Sequence, residues 1–171
     1  APLQPAQGYP VSTLREATAL GYSAGDASFG AAFFALMPTG VQFFAPTGSL
    51  LMDDAIKARV KAIKDVAYDC KLLRIADVND DGRADLIYVT RADDTHLRVA
   101  LALDTDAAEP PRYAAVDAAV LPSLSGAAIV AVAVAPTVMG ARPRIFVGTA
   151  TNSFKSAVER STESAPRRRP R

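Results

Sequence analysis

From residue 29 onward the chain alternates short apolar runs with turn residues. FGAAFFALM (29–37) and VQFFA (41–45) are separated by PTG (38–40), and a second PTG follows at 46–48. Proline at the first central position fixes φ for a turn, and glycine accepts the left-handed residue that closes a hairpin, so this segment predicts a β-meander. The adjacent pairs Phe33–Phe34 and Phe43–Phe44 put one ring on each face of a sheet, which predicts burial in a core or interface on both sides. The same alternation predicts strands at KLLRIA (71–76), DLIYVT (85–90), HLRVALAL (96–103), RYAAVDAAV (112–120), AAIVAVAVA (127–135) and PRIFVGTA (143–150), joined by turns rich in Asp, Pro and Gly.

Two stretches carry a helical pattern. Thr13 and Glu16 have capping-box spacing, with Leu14, Ala17 and Leu20 following on one helical face before Gly21. In DDAIKARVKAIKDVA (53–67), Ile56, Val60, Ile63 and Ala67 fit a helix with acids at its start and lysines after it. A strand over 55–62, with Ile56, Ala58, Val60 and Ala62 alternating against Lys57, Arg59 and Lys61, is the competing reading. Ile63 breaks that alternation, and the helix is preferred. The fold class expected is therefore mainly β, a β-meander of hairpins, with one or two short helices. Residues 1–28 are read as an extended, Pro-rich arm with a short helix, 29–158 as the β-rich domain, and 159–171 as a disordered Arg-rich tail.

Composition narrows the classes. At 171 residues the chain has room for one ordinary domain or two small ones. Half its residues are hydrophobic, but alanine alone is about a fifth of the total and Trp is absent, so the core is expected to be thin. Residues 160–171 carry five Arg and one Glu against a net +1 for the chain, which leaves the remainder at −3. Such a body has no basic face for nucleic acid. One cysteine, Cys70, excludes an internal disulfide framework and any multi-cysteine zinc site, and one histidine, His96, argues against His-centred acid–base chemistry. No apolar run reaches the length of a membrane span. No phosphate-cradling GxxxxGK[ST], nucleophile elbow or HExxH is present. Cys70 is expected as a small buried hydrophobe, His96 as a surface residue, and Asp93, Asp94, Asp104 and Asp106 as solvated turn acids.

The chemistry concentrates in DVNDDGRAD (77–85). Oxygen-bearing side chains fall at positions 1, 3, 5 and 9, namely Asp77, Asn79, Asp81 and Asp85, with Gly82 at position 6. A hard cation such as calcium wants six to eight oxygens at about 2.3–2.6 Å, which a tightly curled loop can supply locally. The carbonyl of Arg83 is placed to add a backbone ligand. Facing carboxylates need a counter-charge, and an acidic turn holding no ion is the competing reading. An EF-hand requires Glu at position 12, where this chain has Tyr88 inside an apolar strand.

A strand, a compact Asp/Asn loop with Gly, an Asp at position 9 and a second strand instead resemble the FG-GAP or VCBS repeat, the calcium-binding hairpin of integrin-α-type β-propellers. LLRIADVNDDGRADLIYVTRADDTHLRVALAL looks like the first three strands of such a blade and 112–120 like a fourth, so the resemblance covers about residues 71–120. It implies structural Ca2+ held by Asp77, Asn79, Asp81, the Arg83 carbonyl and Asp85.

AAIVAVAVAPTVMGARPRIFVG has the rhythm of a following blade, but its connection lacks acidic ligands. A propeller needs 4–8 blades, and the chain is short for one. It therefore reads as a piece of a propeller, a divergent protein that kept one repeat, or a subunit completed by another chain.

The function expected is a non-catalytic, calcium-stabilised structural or protein-interaction module. It would act as an accessory subunit or part of a larger assembly, with other protein chains as partners (a homo-oligomer or a larger complex). The N-terminal arm and Arg-rich tail are candidate docking segments. The alternative is a domain of a propeller-type carbohydrate-active or surface enzyme, with calcium again structural. Ala1 in place of Met fits a processed N-terminus; together with a calcium loop it suggests a secreted, periplasmic or cell-surface protein, or an organellar assembly.

Overall fold

A computed structural model of the chain describes residues 16–26, 30–103, 111–116, 126–135 and 143–150, together with the backbone of 154–156. Ten strands and one helix follow in order: β1 (Ala19–Ser23), β2 (Ala32–Met37), β3 (Gly40–Phe44), α1 (Asp54–Ala67), β4 (Cys70–Ala76), β5 (Asp85–Thr90), β6 (Arg98–Ala102), β7 (Tyr113–Ala115), β8 (Ile129–Ala135), β9 (Arg144–Thr149) and β10 (Phe154–Ser156). They form three antiparallel sheets, β1-β2-β3, β4-β5-β6-β7 and β10-β9-β8. Among the described residues the fold is mainly β with a single helix. No helix among the described residues is long and apolar enough to cross a membrane.

The three sheets are stacked face to face, and β5 shows why. Leu86 and Tyr88 point into a cluster shared with Phe34 and Phe43 of the first sheet and Ile56 and Ile63 of α1. Ile87 and Val89, on the opposite face, join Ile129, Val132 and Val147 of the third sheet. A strand covered on both faces cannot alternate apolar with polar, which accounts for the continuous run LIYV. The first strands of the sheets are neighbours: β1 lies beside β4, and β4 beside β8. Ile129 at the start of β8 also donates to the Asp94 carbonyl in the β5–β6 turn at 2.7 Å.

The expected hairpin over 29–45 is present as β2–β3, with Phe33 opposite Phe44 and Phe34 opposite Phe43. Phe34, Phe43 and Phe44 are buried, whereas Phe33 is exposed and meets Tyr22 in a tilted ring contact with centroids 5.3 Å apart. The expected blade strands pair in chain order as β4–β7, and β8–β9 form the following sheet.

Residue Leu20, expected on a helix, lies in β1. Its neighbour Gly21 pairs with Phe34 of β2, and Ala19 with Leu36, so cross-strand pairing overrides the local helical spacing.

The 53–67 stretch is a helix. Asp53 caps it by accepting the Ile56 N–H at 2.9 Å, and Ile56, Arg59, Ile63 and Ala67 form its buried stripe. The buried positions thus include Arg59, with Val60 only partly covered. The arm at 1–11, the tail at 159–171, Asp104, Asp106 and residues 117–120 lie outside the described residues.

Candidate functional site

The Asp77–Asp85 loop joins the first and second strands of the middle sheet. Its curl is organised by Asp77. One carboxylate oxygen, Oδ1, accepts the N–H groups of Asn79, Asp80 and Asp81 at 3.2, 2.7 and 3.3 Å, and the other, Oδ2, accepts that of Gly82 at 2.8 Å. Two consecutive turns need positive φ: Asp80 takes φ +66° and Gly82 φ +80°. Aspartate tolerates the left-handed region through local hydrogen bonding, and glycine does so for want of a Cβ.

Asp81 is held from within the loop. Asn79 donates its amide to Oδ2 at 2.9 Å, and Arg83 gives its backbone N–H to Oδ1 at 2.9 Å and its guanidinium to Oδ2 at 3.1 Å. Partial burial alone would raise the Asp81 carboxyl. The Asn79 and Arg83 donors outweigh it and hold the group below the usual carboxylate range.

Asp85 is fully buried at the root of the loop. Its Oδ2 accepts the Val78 N–H at 2.9 Å, and its Oδ1 the Ala102 N–H of β6 at 2.7 Å. It therefore ties the start of the loop to its end and to the third strand. Burial pushes its carboxyl up, more than the two amides pull it down, with Asp81 and Asp77 adding repulsion.

The structure thus brings Asp77, Asn79, Asp81, Arg83 and Asp85 into one compact loop. Among the described residues, however, no three His, Cys, Asp or Glu side chains converge as a group able to hold a metal ion. Instead of facing a shared centre, the carboxylates are met separately by amide dipoles and by Arg83. The donor types suit a hard cation, and Asp77 Oδ2 and both Asp85 oxygens accept only one of these N–H groups each. Asp81, by contrast, is already engaged by Asn79 and Arg83.

Comparison with protein-family models, characterised proteins and solved structures finds no match to this chain. Its reading therefore rests on geometry and on the motif.

Among the described turn acids outside the loop, Asp93 and Asp94 are each taken up by neighbouring basic side chains. Asp93 is engaged by His96 at 2.8 Å and Arg98 at 3.1 Å, and Asp94 by Lys71 at 3.0 Å. The His96 hydrogen bond holds the Asp93 carboxyl down at about 2. Burial pushes the Cys70 thiol up to about 11, so it is an inert core group rather than a nucleophile.

Sequence patterning missed Asp26. Its carboxylate accepts the Ala84 N–H at 3.3 Å, directly before Asp85, and pairs with Arg59 of α1. The signal was there in part: Arg59 stands three residues after Ile56 and four before Ile63, on the apolar stripe.

Proposed function

We propose that this chain is a non-catalytic structural module: a sector of a propeller-like ring, stabilised by calcium at the Asp77–Asp85 loop and completed inside a larger assembly. One observation carries the reading. The first strands β1, β4 and β8 lie side by side while their sheets stack face to face, as in successive sectors about a common axis. The loop joins the first strand of the middle sector to its second, where the FG-GAP/VCBS resemblance puts the ion. Three sectors fall below the four that a closed ring needs.

Calcium would supply the positive charge that Asp77, Asp81 and Asp85 jointly require, with Asn79 and the Arg83 carbonyl as neutral oxygens. The chain's own part is to hold the curl through Asp77 and Gly82 and to fix Asp85 through Val78 and Ala102.

Thermal unfolding of the full chain in excess calcium and in chelator tests the ion. At 100 times the dissociation constant, linkage adds about 2.7 kcal/mol to the folded state. Coincident unfolding curves eliminate calcium. Native mass with an apolar-surface dye tests the incomplete sector: the isolated chain either associates or binds the dye. A monomer that binds none is self-sufficient, and the reading is wrong.

A further inference from the structure

Between α1 and the connection that follows β3, the surface is hollowed into a groove of about 370 Å³. Phe43, Ile56 and Val60 lie along its floor, with Leu51 half-buried beside them. Leu50 and Met52 also line it and remain 40% and 63% exposed, although both are large apolar side chains. The charged part of the lining is Lys57, Lys61 and Lys64, and among the described residues no acid lines the groove.

The three lysines stand in a column because their spacing, i, i+4 and i+7, keeps them on one face of α1. Like charges at that spacing repel and weaken a helix. Lys57 is relieved by Asp54, which it meets at 3.0 Å on the exposed surface. Among the described residues no ion pair joins Lys61 or Lys64. An anion seated beside them removes the repulsion, and next to an apolar wall its attraction to an ammonium exceeds that in open water.

Size and edge chemistry select the occupant. Sites of about 300–1,000 Å³ with mostly apolar walls and a few placed polar groups suit small organic molecules. At about 30 Å³ for each water-sized unit, the groove holds about a dozen units, the size of a medium acyl chain with its head group. A strand from another protein fits less well, because the outer edge of β3 is already paired here. Leu51 donates its N–H to the Phe43 carbonyl at 2.9 Å, and Ala45 to the Ser49 carbonyl at 2.8 Å. The groove thus offers side chains rather than a free strand edge, and an acyl chain needs no backbone partner. A bilayer is met by a protruding apolar face, whereas the floor here is recessed.

We propose that this groove binds a medium-chain fatty carboxylate, its chain along Phe43, Leu51 and Val60 and its head group between Lys61 and Lys64. A lysine ammonium is a compact charge on a flexible stem, suited to a single carboxylate. The site is separate from the Asp77–Asp85 loop and does not depend on the sector reading.

Calorimetric titration of the full chain with decanoate, below the concentration at which it forms micelles, tests the site. Acetate and decanol serve as probes that lack the chain and the charge respectively. Decanoate should saturate at one per chain, and each control should bind more weakly by about tenfold or more. The double variant Lys61→Glu, Lys64→Glu alters two exposed positions and is checked for folding by circular dichroism. It should weaken decanoate by about tenfold or more and leave decanol unchanged. Amide NMR shifts caused by decanoate should centre on Leu51 and Val60. No saturable binding, or equal affinity in the double variant, overturns the proposal. So does decanol that binds as tightly as decanoate, or shifts centred elsewhere on the chain. Binding to phosphatidylglycerol vesicles without binding of free decanoate overturns it as well, and assigns the lysine column to a membrane surface.

Discussion

Asp26 and Arg59 form an ion pair at 3.1 Å with both side chains almost wholly buried, 7% and 3% exposed. It joins the segment after β1 to the helix, and through the Ala84 N–H it reaches the end of the Asp77–Asp85 loop. A charge so placed is costly once its partner is gone. Arg59→Met should therefore destabilise the chain by about 3–5 kcal/mol. Adding Asp26→Leu should recover part of that loss, although Ala84 then loses its acceptor. Urea unfolding of the two single variants and the double measures the coupling. Additive losses would mean that the pair contributes nothing as a pair.

Asp85 has no solvent and two amide donors to satisfy. Truncation by Asp85→Ala strands the Val78 and Ala102 N–H groups, and each buried, unpaired donor costs about 1–3 kcal/mol. The loss should be present in chelator as well as in calcium, because the hydrogen bonds do not depend on the ion. Calcium stabilisation should shrink in addition. A variant that loses only the calcium increment would show that Asp85 is a ligand and not the anchor of the loop.

Gly21 and Gly82 are constrained in different ways. Gly82 has open space around it but φ +80°, so a side chain there meets only backbone strain. Gly82→Val should weaken calcium stabilisation more than the stability of the chelated chain, as measured by the two melting curves. Equal losses would confine its role to the turn. At Gly21 a Cβ would overlap the Phe34 ring, which lies across the glycine in the neighbouring strand. Overpacking of this kind typically costs about 1–3 kcal/mol, and Gly21→Ala should lose about that much in urea unfolding. An unchanged midpoint would mean that the ring moves aside freely.

These positions show what the amino-acid pattern carries and what it does not. The β2–β3 hairpin was legible because the PTG turn and the doubled Phe residues are local signals. The strands of the middle sheet were legible for the same reason, and so was the loop, whose alternating oxygens and glycine fall within nine residues. The strand β1 was not. Leu14, Ala17 and Leu20 have helical spacing, and what makes β1 a strand is its pairing with β2, from Ser23 opposite Ala32 to Ala19 opposite Leu36. The α1 helix was legible as a preference, because Ile63 breaks the strand-like alternation of 55–62, and its burial with Ile56 and Ala67 decides for the helix. Asp26 could not be singled out because its partners, Arg59 and Ala84, are 33 and 58 residues distant. Nor could the sequence say which Phe of each pair is covered: Phe33 and Phe44 lie opposite each other on the side away from the middle sheet, yet Phe33 is exposed while Phe44 is buried beside Ala35 and Met37.

Asp93 offers an acid-side probe. Its carboxyl is held at about 2, first by the His96 hydrogen bond and then by Thr95. Because the folded value is depressed, the stabilisation exists above about pH 4, where an unfolded aspartate is ionised. It fades as pH falls through about 2. The site is solvent-facing, so the effect on stability is small. Its titration is the better readout: His96→Ala should move the Asp93 carboxyl up toward the ordinary aspartate range in an NMR titration. An unmoved midpoint would assign the depression to other neighbours.

The last prediction couples calcium to pH through Asp85. Burial raises its carboxyl in the folded chain, so the folded state binds a proton more readily than the unfolded state. Without calcium, stability from this group is greatest below about pH 4, the unfolded aspartate value, and is lost as pH rises through its raised folded value. With calcium the sign reverses, because the ion favours the carboxylate and competes with the proton. The gap between melting temperatures in calcium and in chelator should therefore widen as pH rises above about 4. In Asp85→Asn, which cannot ionise, the part of the widening that comes from this group should vanish. A gap that is constant with pH in the wild type would place the ion away from Asp85, or show that no ion binds the loop.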